Sequence, residues 1–181
     1  MPSKPVSLGA MTYLKAIIAG ITGFLIVGCS TSGLSPLVLE GPELHRSLTT
    51  RHLKDNTTRH VSRSVLLTNP QLSTETEFVR AIARSGSQGN LGAEGIRSAL
   101  FAAYLGQSEL GFYGLEAASA DDADRLEQAL RKIWAHNNSI NLAQVHRSGL
   151  VLVVVWTDGV PSEVWKAVNA GVAERLMPAG R

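Results

Sequence analysis

Apolar residues follow three rhythms along this chain, and each predicts a different kind of element. Ala16 to Gly28 is a thirteen-residue stretch without a single charge. Further on, apolar positions recur at helical spacing, or gather in short runs bounded by turn residues. Ser64-Val65-Leu66-Leu67-Thr68 has the character of a strand stopped by Asn69-Pro70. Thr74 and Glu77 have capping-box spacing, and Phe78, Val79 and Ile82 give a helix face running to about Arg84. The glycine-rich stretch SGSQGNLGAEG, residues 85–95, leads into a second helix predicted over Ala93 to Leu105, because Ile96, Leu100 and Tyr104 lie four apart.

The pattern is clearest in the last third. Leu110 to Leu115 is strand-like, and Ser119 has the position of a cap for the next helix. Asp121, Asp122 and Asp124 follow in its first turn, where the helix dipole favours acids. Leu126, Leu130, Ile133 and Trp134 share one face of that helix, with Arg125, Glu127, Arg131 and Lys132 on the other. Ile140 to Arg147 predicts a strand and Ser148-Gly149 a tight turn. Leu150 to Trp156 is a continuous β-branched and aromatic run, expected at the centre of a sheet with both faces covered. After Thr157-Asp158-Gly159, a helix carries Trp165, Val168, Val172 and Leu176 on one face. This order predicts an α+β domain built on a split βαβ, ferredoxin-like unit: an antiparallel sheet with helices packed on one face. The Leu150 strand is expected between its two neighbours and antiparallel to both, with the Val65 strand at the edge.

The uncharged run carries the most specific signal. Thirteen residues are too few to span a bilayer, which takes about 20, and suit the apolar centre of a secretory leader, about 7 to 15. Lys4 and Lys15 precede it with no acid, the positive flank such a leader needs. It ends in Ile26-Val27-Gly28-Cys29, which resembles the lipobox of bacterial lipoproteins. That resemblance implies cleavage between Gly28 and Cys29, a diacylglyceryl thioether on Cys29, and acylation of the new amino terminus. Each buried methylene contributes about 0.8 kcal/mol, so two chains already anchor stably. Ser30 stands where an aspartate commonly retains lipoproteins in the inner membrane; the resemblance therefore implies a bacterial cell-envelope location, the outer membrane in a two-membrane source. The expected organisation is a signal peptide over 1–28, acylated Cys29 and a flexible tether over 29–62, and a globular domain over 63–178. A tether of that length has a reach on the order of 30 Å, and Pro36 and Pro42 argue against regular structure within it.

Composition narrows the function. Without Lys4 and Lys15 the chain balances 15 basic against 15 acidic residues, so nothing steers it to nucleic acid. Cys29 is the only cysteine, and no disulfide can form within the chain. His45, His52 and His60 are spaced seven and eight residues apart, which places no two on adjacent helical turns, and no metal or cofactor is expected. Their segment reads first as a solvated linker; the alternative is a basic arm that rests on lipid head groups or peptidoglycan acids. The glycine-rich stretch lacks the spacing and the Lys-Ser/Thr of a phosphate loop. Asn56 and Asn137 match glycosylation acceptors by chance in a bacterial setting. No nucleophile elbow and no His-Glu-x-x-His occur, and no catalytic residue is assigned. His136 and His146 read as a helix-end and a half-exposed strand residue. Two function classes follow: a noncatalytic envelope module that binds a protein or peptidoglycan partner, or a small-ligand binder or minor hydrolase with a cleft near the glycine-rich stretch and the 157–162 turn.

Overall fold

A computed structural model describes residues 32–52, 61, 64–135 and 142–177, and no helix among them is long and apolar enough to cross a membrane. The leader, Cys29, His60, His136, both glycosylation-like sites and Ile140 lie outside the described residues.

The elements are a 3-10 turn (Ser35–Leu37), α1 (Gly41–Leu44), β1 (Thr49–Thr50), β2 (Gln71–Ser73), α2 (Thr76–Gly86), β3 (Ile96–Leu105), β4 (Glu109–Ala117), α3 (Ala120–Ile133), β5 (Leu142–Ser148), β6 (Val151–Thr157) and α4 (Ser162–Leu176). They form an α+β fold around one antiparallel sheet, ordered β1-β3-β4-β6-β5, with β2 also paired to β3. β6 lies between β4 and β5 and is antiparallel to both, as the apolar run predicts. All seven of its residues are buried.

The pleat sends alternate residues to opposite faces, and both faces are covered. On the first, Phe101, Tyr113, Leu115, Leu152, Val154 and Trp156 meet Phe78, Val79 and Ile82 of α2 and Leu126 and Leu130 of α3. On the second, Leu100, Tyr104, Phe112, Val151, Val153 and Val155 meet Val164, Val168 and Val172 of α4, together with Leu34, Leu37 and Leu48. The expectation of helices on one face is therefore corrected. α2 and α3 fill the first face, and the apolar second face leaves α4 no choice but to cover it.

Ala93 to Leu105 is the largest reversal: it forms strand β3, not a helix. A spacing of four returns to the same side of a strand as well as of a helix, and residues on both sides of this segment are apolar, so period-two alternation is hidden. A bulge between Ile96 and Ser98 shifts the register further. Ile96 thereby packs on the first face while Leu100 and Tyr104 point to the second.

The run at residues 64–68 is a turn rather than an edge strand. The edge is taken by β2, on the far side of Asn69 and Pro70. Asn69 fills the gap between β1 and β2 with its side chain: Oδ1 accepts from the Ala103 N–H at 2.9 Å, and Nδ2 donates to the carbonyls of Ala103 and Arg51. A side-chain amide here replaces a missing strand residue. The capping box at Thr74 and Glu77 does not form, since α2 starts at Thr76 with Glu75 before it.

The described part of the expected tether, residues 32–52, belongs to the fold. Leu34 and Leu37 are fully buried and Leu48 is 1 % exposed. Pro36 and Pro42 stand at the second positions of the 3-10 turn and of α1, inside the first turn where the missing N–H costs nothing, so both prolines sit within helical turns instead of preventing them. Glu40 and Glu43 add a capping box to α1, with the Glu40 N–H donating to Glu43 Oε2 at 2.6 Å. Gly114 makes room for this segment, because a Cβ there would stand 2.6 Å from the Leu34 side chain. Replacing Leu34 by Ala is expected to cost about 2 to 5 kcal/mol, the range for emptying a closed core site, measured by urea unfolding. An unchanged midpoint would return residues 32–37 to the status of a tether.

Candidate functional site

The strands give the sheet two ends, and polar side chains gather at each. At the first end β3 starts, β4 finishes, and the Ser148-Gly149 turn joins β5 to β6. Here the Ser32 and Ser98 hydroxyls both donate to Glu116 Oε2, at 2.6 and 2.7 Å, and lie 3.0 Å from each other. Ser32 Oγ also accepts from the Leu34 N–H at 3.2 Å. Burial works to raise the Glu116 pKa, but the hydrogen bonds from Ser32, Ser98 and the Gly33 N–H, with the charge of Arg97, outweigh it and hold the carboxyl below its ordinary value. The two hydroxyls share one acceptor, and the Glu116 carboxylate, held below its ordinary pKa, is a weak base toward them. The chemistry is that of a clamp on Ser32.

At the second end, the β3–β4 hairpin, β1 and the turn after β6 come together. Arg51 and Glu109 form an ion pair there, each side chain about one-tenth exposed. An open groove of about 550 Å³ lies alongside, lined by His45, Arg46, Leu48, Leu105, Gln107 and Glu163 among others. Leu105 is 47 % exposed beside it. His45 Nδ1 stands 2.8 Å from the Ser47 hydroxyl and 3.3 Å from the Ser47 N–H. Acceptance from the backbone N–H makes this a local turn contact, and no carboxylate is bonded to the imidazole among the described residues.

The remaining singled-out residues are spread apart. His146 Nε2 lies 2.7 Å from Asn169 Oδ1, linking β5 to α4. His52 is exposed. Ser119 caps α3 as expected, accepting from the Asp122 N–H at 3.1 Å, and Asp122 pairs with Arg125 at 3.3 Å. Asp124 reaches Arg147 at 2.6 Å, and Glu127 binds both Arg147 and Arg131. Hydrogen bonds from Arg147 and Arg131 lower the Glu127 pKa, and bonds to Glu127 and Asp124 raise that of Arg147. The three aspartates thus serve helix start and surface pairing. Among the described residues, no group of three or more His, Cys, Asp or Glu is placed to hold a metal ion. Asp158 sits in the turn after β6, its N–H donating to the Glu109 carbonyl at 2.9 Å.

The glycine-rich stretch and the 157–162 turn do not share a cleft. Gly86 and Gly95 approach Tyr113 and Asp122 on the first face, whereas the turn opens on the groove beside residues 45–49. That stretch is also a structured connection between α2 and β3, with the buried Ser87 hydroxyl accepting from the Leu91 N–H at 2.8 Å. Sequence reasoning missed both the clamp and the groove. A lone acid at the end of the apolar Leu110–Ala117 strand was the one available pointer to the clamp, because a carboxylate flanked by core positions needs donors.

The clamp makes a pH prediction. A carboxyl whose pKa is lowered by folding contributes stability that is complete above its unfolded value, ordinarily near 4.5, and that is lost as the pH falls through the folded value. Glu116→Gln is expected to lower stability at neutral pH by about 1 to 2 kcal/mol, allowing for its partial exposure. It should also flatten the decline in melting temperature below about pH 5, measured by calorimetry across pH. An equally steep decline in the variant would show that Glu116 is not the titrating group. No family model, no curated protein and no solved structure matches the chain.

Proposed function

We propose that this protein is a lipid-anchored lipoprotein of the bacterial cell envelope, acting as a noncatalytic binding or structural module. The observation that carries the reading is Ile26-Val27-Gly28-Cys29 at the close of the uncharged run that starts at Ala16, preceded by a lysine-bearing segment. Cleavage before Cys29 leaves a chain with balanced charge and no free thiol once the sulfur is acylated. Its attachment to the membrane then comes from acyl chains rather than from a basic surface. The partner class is a protein or peptidoglycan of the envelope, and the location is the outer membrane where the source has two.

The serines of the first end support a structural role, since both hydroxyls serve one carboxylate. A second reading, binding of a small ligand, is favoured by the groove at the other end, whose volume of about 550 Å³ falls in the range of about 300 to 1,000 Å³ seen for ligand pockets.

The anchor is tested by growing a bacterial host expressing the full chain with an alkynyl fatty acid. Label is expected on the wild type and absent from Cys29→Ser, which should accumulate as uncleaved precursor. Label retained by Cys29→Ser would refute the attachment site.

A further inference from the structure

Ser32 is held by the fold only three positions after Cys29, so an acyl anchor there constrains orientation as well as location. We infer that the anchor holds the Ser32 end of the sheet against the bilayer surface and turns the groove end away from it. This rests on the reading of Cys29 as the acylated amino terminus.

The argument is one of length. Ser32 is fixed to Ser98 and Glu116 by side-chain hydrogen bonds. The next residue, Gly33, lies so close to Val151 that a Cβ would stand 2.5 Å from its side chain, and Leu34 is fully buried. Only Ser30 and Thr31 separate Ser32 from Cys29. Three steps of chain reach at most roughly 11 Å. A tether ending at residue 62 would have left the domain free to turn, whereas this one is shorter than the domain itself. β3 alone runs ten residues from the clamp end to the groove end, about 33 Å at strand rise. The far end therefore lies beyond the reach of the leash whenever the strands stand up from the membrane.

Charge gives an independent reason to assign the hold to the leash. Among the described residues, the exposed charged groups on the segments at the clamp end are Glu75, Glu77, Glu94, Asp121 and Asp124 against Arg97 and Arg125. This end is not basic, so attraction to anionic head groups does not draw it down, and the orientation is insensitive to salt. The occupant of the clamp end is thus the bilayer surface itself. The groove, with His45, Arg46, Gln107 and Glu163, is presented outward, where an envelope partner or ligand can reach it.

The test uses the full, processed protein in phosphatidylcholine vesicles containing a lipid with a nitroxide on its head group. With Cys29 acylated, an introduced cysteine is the single free thiol. Glu94→Cys and Gln107→Cys place a small fluorophore at opposite ends of β3, both on exposed positions. Quenching at position 94 is expected to exceed that at 107 by a factor on the order of three, unchanged in about 0.5 M salt. Inserting about 15 Gly/Ser residues between Ser30 and Thr31 lengthens the leash by a root-mean-square reach of about 20 Å and should even out the two positions. Equal quenching in the uninserted, acylated protein overturns the orientation alone. An amino-terminal peptide whose mass carries no acyl chain overturns the anchor as well, so the two failures are told apart.

Discussion

The sheet has two apolar faces, and everything else in the fold follows from the need to cover both. β6 is the clearest case, with Leu152, Val154 and Trp156 on one side and Val151, Val153 and Val155 on the other. Fully burying a side chain of this size contributes about 1.5 to 3 kcal/mol, so leaving either face open would forfeit a large part of the domain's stability. Two helices, with Val61 and Leu66 from the chain before β2, cover the first face. The second has only α4, and the chain before β1 supplies the rest of the cover.

That shortage explains why residues 32–52 fold. Their sequence looks like a linker because it is short, rich in small residues and punctuated by proline, but Leu34, Leu37 and Leu48 answer a vacancy on the sheet that no other element fills. With Leu34 seated over Gly114, the clamp of Ser32, Ser98 and Glu116 ties this segment to the end of the sheet. The Tyr104 hydroxyl adds a second tie, donating to the Leu39 carbonyl at 2.9 Å. Burial, reinforced by the nearby Glu40 and Glu43 charges, pushes the pKa of that tyrosine up and keeps it a donor.

The same packing links stability to the proposed role. On the proposed reading, a core that starts at Leu34, five positions after Cys29, would leave the domain less freedom to turn than a long linker. The segment that completes the second face follows Cys29 closely in sequence, so under the proposed anchoring the residues that cover the sheet would also tie it to the membrane. Mutations that loosen Leu34 or the clamp would then act on orientation as well as on melting.

What the sequence determined by itself is whatever depends on neighbours a few residues apart. The resemblance of Ile26-Val27-Gly28-Cys29 to a lipobox is a linear pattern of this kind, legible without a fold. The apolar faces of α2, α3 and α4, the Ser119 cap and the hairpin at Ser148-Gly149 are likewise local, as is the unbroken run that became β6. Tertiary structure alone decided that Ala93 to Leu105 is a strand, that α4 crosses to the second face, and that Ser32 meets Glu116 across 84 positions. Each of these turns on which surfaces remain uncovered after the other elements have packed. That quantity belongs to the assembled sheet, and a residue spacing of four cannot distinguish a helix from a strand buried on both sides.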